Sequence, residues 1–179
     1  MTEATALRSY AYASTPLGRV VMVTEGTELV GLSFDGQARM PSVRELAAGS
    51  GEPMRTVRNQ LEEYFRRART RFELPVRLDG TPFQLAVWSA LLDIPCGRTS
   101  TYAEIAERIG RPRAARAVGA ANGQNPVSIV VPCHRLLGAD GGLTGYGGGL
   151  DRKRRLLEIE GTLPDRVDSA AKSLRRSGG

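Results

Sequence analysis

Apolar positions along this 179-residue chain change period near its middle. From Arg8 to Gly36, in "RSYAYASTPLGRVVMVTEGTELVGLSFDG", apolar and polar residues alternate, with breaks at Pro-Leu-Gly, Glu-Gly and Asp-Gly. Alternation interrupted by turn residues predicts two or three short antiparallel strands. "SVRELAAGSG" then predicts a short helix. "MRTVRNQLEEYFRRART" predicts a better amphipathic one, with Val57, Leu61, Tyr64 and Phe65 at helical spacing. "RFELPVRLDG" reads as one more strand, so residues 1–80 form a small α+β domain.

From Thr81 the pattern is helical. "TPFQLAVWSALLDI" opens on Thr-Pro, a helix start, and places Phe83, Val87, Leu91 and Ile94 on one face. "TYAEIAERIG" has Thr101 and Glu104 in capping-box spacing, Ala103, Ile105, Ala106 and Ile109 inward, and Gly110 as the stop. "RPRAARAVGAANGQNP" predicts a second helix, opening near Pro112 and ending around Asn122-Gly123. Two short helices about a glycine-containing turn fit a helix-turn-helix, although many buried helical hairpins share the pattern. "VSIVVP" predicts a buried strand and "ADGGLTGYGGGLD" a glycine-rich loop. "DRKRRLLEIEG" predicts a last helix capped by Asp151, with Leu156, Leu157 and Ile159 buried. The chain thus divides into 1–80, a C-terminal domain at 81–161, and a polar tail at 162–179 that is expected to be mobile.

Composition narrows the function. No apolar run approaches bilayer length, and "MTEATALRSY" has no basic-then-apolar signal, so a cytoplasmic protein is expected. With two cysteines (Cys96 and Cys133) and one histidine (His134), a four-ligand Cys/His zinc site cannot be built, and free thiols are expected. The glycine-rich loop matches neither the Walker A nor the dinucleotide spacing, which argues against a nucleotide cofactor. The net charge of +6 is unevenly spread. Residues 1–80 carry 11 basic and 10 acidic side chains, whereas Arg108 to Ala139 holds Arg108, Arg111, Arg113, Arg116 and Arg135 with no acid. Such a segment suits phosphate binding or is simply a solvated basic surface.

In "IVVPCHRLLG" an apolar run ends at Pro132 and is followed by Cys133 and His134. A thiol substitutes only as thiolate, so it needs a base, and the base needs an orienting carboxylate, for which Glu160 is a candidate. The bland reading is a buried cysteine beside an incidental imidazole, and these residues alone leave both open.

The segment from Phe83 to Gly161 changes that balance. It resembles the O6-alkylguanine-DNA alkyltransferases, DNA repair methyltransferases that accept an alkyl group on their own cysteine. The specific core is "PCHR", preceded by "AARAVG" and "NP" and followed by "GYGGG"; "TPLGRVVMV" is similar to the family's first hairpin. The resemblance implies a ribonuclease-H-like N-terminal α+β domain and a mostly helical C-terminal domain with a helix-turn-helix. It implies that Cys133 attacks the alkyl carbon on guanine O6, that His134 takes the thiol proton through a water, and that Glu160 holds His134. Tyr102 would donate to guanine N3, and Asn125 would tie the helix turn to the cysteine strand. Arg116 would enter the duplex in place of the flipped nucleotide, with Ala115, Arg113 and Arg135 also at the DNA. Leu136, Tyr146 and Gly147 would form the base pocket. The implied partner is double-stranded DNA containing O6-alkylguanine, bound by a monomer, with cooperativity and O4-alkylthymine activity open. No cofactor or metal is implied, and the protein would be consumed by one transfer.

Other readings fit less well. A non-catalytic binder of alkylated bases with this fold would lack Cys133. A promoter-binding regulator would need a sensor or dimerisation element. A cysteine hydrolase would need an oxyanion hole, and an S-adenosylmethionine enzyme its own cofactor domain; no motif for either is visible.

Overall fold

A computed structural model of the protein describes residues 7–37 and 39–162. The architecture is α+β: a sheet-bearing N-terminal half and a mostly helical C-terminal half. Strands β1 (Arg8–Thr15), β2 (Gly18–Glu25) and β3 (Glu28–Phe34) form the expected antiparallel meander, in a sheet of order β3-β2-β1-β4. Val20 pairs with Ala13 on one side and Phe34 on the other, and Val20 to Thr24 are all buried. A central strand covered on both faces loses the strict alternation of a half-exposed one.

The free edge of β3 joins the two halves. Leu32 N–H donates to the Pro126 carbonyl at 2.9 Å, and Ser128 N–H donates to the Leu32 carbonyl at 2.7 Å. Leu29 bonds Pro75 and Arg77 in the same way, so the edge is covered rather than exposed. The expected strand at "RFELPVRLDG" reduces to a single bridge at Val76, because Pro75 has no N–H to continue a ladder. The expected helix at "SVRELAAGSG" is also absent. Its Ala47–Ala48 is a two-residue strand, β4, parallel to β1, and both alanines are exposed, so no apolar face supports a helix.

Helix α1 (Met54–Phe65) buries Met54, Val57, Leu61 and Tyr64 and stops before its arginine-rich end, where Arg67 adopts φ 61°. Helices α2 (Pro82–Leu92) and α3 (Tyr102–Arg108) both start with complete capping boxes, Thr81–Gln84 and Thr101–Glu104. Ala103 is exposed rather than inward, while Ile105 and Ala106 are buried as expected. Helix α4 (Ala115–Asn122) begins three residues after Pro112, and Trp88 Nε1 donates to the Ala121 carbonyl at 2.9 Å, tying α4 to α2. Helix α5 (Leu150–Ile159) is preceded by Gly149 at φ 91°; Asp151 lies inside the first turn and is not the cap.

"VSIVVP" is buried but is not a strand. Ile129 has φ 72°, an uncommon conformation for a β-branched residue, and it turns the chain back on itself. Among the described residues, no helix is long and apolar enough to cross a membrane. The tail expectation falls, apart from Thr162, outside the described residues.

Candidate functional site

Ile129 is held in its strained conformation by the carboxamide of Asn125. The Asn125 Nδ2 donates to the Val131 carbonyl at 2.9 Å, and its Oδ1 accepts from Val127 N–H at 3.0 Å. That clasp sets the exit of the segment, so that Pro132 leads into a 3-10 turn at Cys133–Arg135. A turn replaces the alternation of a strand, which would have sent Cys133 and His134 to opposite faces. Strand β6 (Leu136–Leu137) follows at once and pairs in parallel with β5 (Ser100–Thr101), which places Tyr102 beside the turn.

His134 is fully buried. Its Nε2 lies 2.9 Å from Glu160 Oε1, and Glu160 follows directly on α5. Burial alone would raise the Glu160 pKa, but the hydrogen bonds from His134 and Arg135 outweigh it and hold the carboxyl well below its usual range. An ionised carboxylate only accepts, so Nε2 carries the proton and Nδ1 presents a lone pair. Nδ1 is buried and has no hydrogen-bond partner among the described residues. Burial also lowers the His134 pKa against the pull of Glu160, so the imidazole is neutral and basic at Nδ1. Burial pushes the Cys133 thiol up, opposed by the Asn125 amide and the Lys153 charge. The resting thiol is therefore protonated and needs a base to react.

Lys153, which the sequence reading did not single out, is fully buried on α5. Burial lowers its pKa to about 8, and the field of Cys133 works against that fall. Its Nζ donates to the Thr144 carbonyl, as does the Tyr102 hydroxyl, so both side chains hold the same point of the glycine-rich loop. The helical pattern of "DRKRRLLEIEG" offers the one signal for it: Lys153 lies three and four residues before Leu156 and Leu157, on their face.

Tyr102 is half-buried, and burial raises its pKa first, the neighbouring Cys133 further. Tyr146 belongs to the same cluster, since the Cys133 charge also raises its pKa after burial, and its hydroxyl is buried with Ser128 beside it. Gly148 is needed here, because a Cβ would sit 2.7 Å from the Tyr146 ring and 3.1 Å from Phe34. Gly147 is exposed, with Gln37 Nε2 3.0 Å from where its Cβ would lie. Leu136 is fully buried.

Arg113 and Arg116 are exposed, Ala115 is partly so, and Arg116 projects from the first turn of α4. Arg135 corrects the expectation of a DNA contact. Only 8% of its side chain is exposed; its Nε and Nη2 bond Glu160 Oε2 and Oε1 at 2.9 and 2.8 Å, and Nη1 bonds the Ile94 carbonyl. A guanidinium with every fork occupied inside the protein is not available to a phosphate. Cys96 is partly buried, and burial raises its thiol pKa. Among the described residues, no group of three or more His, Cys, Asp or Glu is placed to hold a metal ion.

Comparison with known proteins places the whole of this two-part architecture in one family. Residues 82–162 match the family model described as the DNA binding domain of 6-O-methylguanine DNA methyltransferase, and residues 9–78 match that described as its ribonuclease-like domain. The chain is 48% identical over 151 residues to the methylated-DNA–protein-cysteine methyltransferase of Mycobacterium tuberculosis, covering 84% of this chain and 91% of that one. It is 42% identical over 153 residues to the protein of the same description from Methanosarcina acetivorans, covering 86% and 98%. A crystal structure of Mycobacterium tuberculosis OGT in complex with DNA superimposes with a TM-score of 0.80 at 47% identity, over 85% of this chain and 92% of that one.

Proposed function

The chain belongs to the 6-O-methylguanine DNA methyltransferase family, and from that premise we propose that Cys133 is its alkyl acceptor. The protein is a DNA repair methyltransferase, with DNA as its partner, that works by alkyl transfer to a protein cysteine. The proposed substrate is O6-alkylguanine in duplex DNA. The observation that carries the reading is the buried Cys133 followed by a histidine whose Nε2 is held by Glu160 and whose Nδ1 has no partner among the described residues.

Cys133 Sγ attacks the alkyl carbon in line. The S–C bond forms as the C–O6 bond breaks, and the electron pair of that bond leaves on guanine. The thiol proton goes to His134 Nδ1, through a water if the two do not touch, and Glu160 stabilises the imidazolium. Lys153 offsets negative charge on sulfur as it develops, an effect that burial strengthens. Tyr102 protonates or hydrogen-bonds guanine N3, because guanine leaves poorly as an unprotected anion. Tyr146, Gly147 and Leu136 wall the base. Arg116 fills the vacated stack, and Arg113 and Ala115 lie against the duplex, which the small side chains of α4 let approach closely. No cofactor takes part. The product is a thioether, a poor leaving group, so one molecule repairs one lesion. One chain carries every group in the scheme, which supports a monomer as the acting unit, and a cytoplasmic location fits a protein acting on DNA.

The test is mass spectrometry with peptide mapping after mixing the protein with duplex DNA carrying one O6-methylguanine. One methyl group on the Cys133 peptide, saturating at one equivalent and absent in Cys133→Ala, is the expected result. An active Cys133→Ala protein would sink the mechanism, and an unmodified wild type that still binds the lesion would leave only a recognition module.

A further inference from the structure

The carboxylate of Glu160 is fully buried and accepts four hydrogen bonds. Three come from His134 and Arg135, which follow Cys133 in the chain. The fourth comes from the other half of the molecule: the hydroxyl of Tyr64, in the last turn of α1, donates to Glu160 Oε1 at 2.7 Å. It meets the same oxygen that holds His134 Nε2. The Tyr64 ring is itself fixed edge-on to Phe65 at 5.3 Å and tilted on Phe72 at 5.4 Å. Burial, then the charge of Glu160, raises its pKa far above the usual phenol range, so it remains a donor throughout. A cavity of about 250 Å³ opens against the pair, lined by Tyr64, Arg67, Cys96 and Glu160 and by none of Cys133, His134 or Tyr102. If the hydroxyl were removed, water from that side would be the replacement donor, without its fixed direction.

We propose that Tyr64 is a positioning residue for the transfer reaction: its hydroxyl, held on Glu160 Oε1, fixes the carboxylate against His134 and sets how readily the imidazole takes the thiol proton. The proposal rests on the roles given above to Cys133, His134 and Glu160. It gives the N-terminal half a part in the chemistry as well as in packing. A carboxylate that loses one neutral donor becomes more basic and favours the imidazolium form of its partner more strongly. The charged and titratable groups facing His134 are Glu160, Arg135 and Lys153, with Cys133 beside it, and Tyr64→Phe alters only what Glu160 feels. In Tyr64→Phe, His134 should therefore take up its proton at higher pH, and the base would be lost sooner on acidification.

His134 is the sole histidine of the chain, so in tag-free protein its ¹⁵N imidazole resonances are unambiguous. Those resonances, the single-turnover transfer rate to O6-methylguanine DNA across pH, and duplex affinity are measured for wild type and Tyr64→Phe. Losing one charge-assisted hydrogen bond should change the proton affinity of the imidazole by roughly tenfold, a displacement of about one pH unit. The low-pH limb of the rate should move up, the imidazole resonances should shift with it, and DNA affinity should be unchanged. An unmoved limb and unmoved resonances, whatever the change in Tm, would overturn the proposal and leave Tyr64 as packing. Site-specific 3-fluorotyrosine at position 64 keeps the shape and strengthens the donor, so the limb should move down; an unmoved limb there overturns the proposal even if Tyr64→Phe fails to fold. Glu160→Gln separates the two levels. Full transfer in Glu160→Gln removes the underlying reading and this one with it, whereas a dead Glu160→Gln beside an unmoved Tyr64→Phe limb removes only the role of Tyr64.

Discussion

Arg135 and Arg116 stand 19 positions apart in the same acid-free stretch, and the fold puts them to opposite uses. Arg135 is closed inside the protein, with Glu160 across two of its nitrogens and the Ile94 carbonyl on a third. Arg116 stands exposed on the first turn of α4. A buried charge must be matched by nearby partners or it destabilises the fold, while an exposed arginine is already solvated and can exchange water for phosphate at little cost. Charge of one sign, contributed by one residue type, is thus closed into an internal network in one place and left open to solvent, and on the proposed reading to DNA, in the other.

Removing one member of the buried cluster should have the largest effect. Glu160→Gln leaves Arg135 as an uncompensated buried cation, a change expected to cost roughly 3–5 kcal/mol of folding stability. It should also abolish transfer, because His134 loses the partner that stabilises its charged form. Denaturant unfolding and a single-turnover assay check the two effects, and near-wild-type values in both would show that the cluster is not coupled as described.

The next effect is on pH dependence. Burial lowers the folded-state pKa of His134 below its ordinary 6.5. Below pH 6.5 the unfolded chain therefore binds a proton that the native chain resists, and stability falls as pH falls. Glu160, depressed in the native state, adds a second loss once the unfolded carboxyl protonates below its ordinary 4.5. Between pH 7 and 5, wild-type stability should decline with acidification, and His134→Gln should remove that slope. Equal slopes in the two proteins would place the sensitive group elsewhere.

The helical half was the easier part to read from sequence, because caps are local chemistry. Thr81–Gln84 and Thr101–Glu104 form the boxes that their spacing predicts. The segment 127–132 reads as a strand but folds as a turn, since β-branched residues report burial and say nothing of the left-handed conformation at Ile129, which depends on which backbone groups the Asn125 carboxamide bonds. Arg135 was misjudged for the same kind of reason. Composition shows that five arginines lack local acids, but its acid, Glu160, is 25 residues away. The Cys133, His134 and Glu160 grouping entered as a candidate and became specific only through family resemblance. Helical spacing marks Lys153 and Tyr64 as inward-facing, but no local pattern names their partners, Thr144 and Glu160, so their part in the site is not legible in the sequence.

The exposed arginines should give smaller and differently placed effects. Arg116→Ala removes no internal partner among the hydrogen bonds and ion pairs described, so Tm should stay at the wild-type value. Transfer from duplex DNA should fall sharply, while reaction with free O6-benzylguanine should be nearly unchanged; equal losses on both substrates would refute insertion into the stack. Arg113→Ala should do least. If Arg113 meets a phosphate, the slope of log affinity against log salt should fall by about one, with weakening alike on damaged and undamaged duplex. A slope identical to wild type would return Arg113 to the solvated surface, and the contrast with Arg135 would then rest on Arg116 alone.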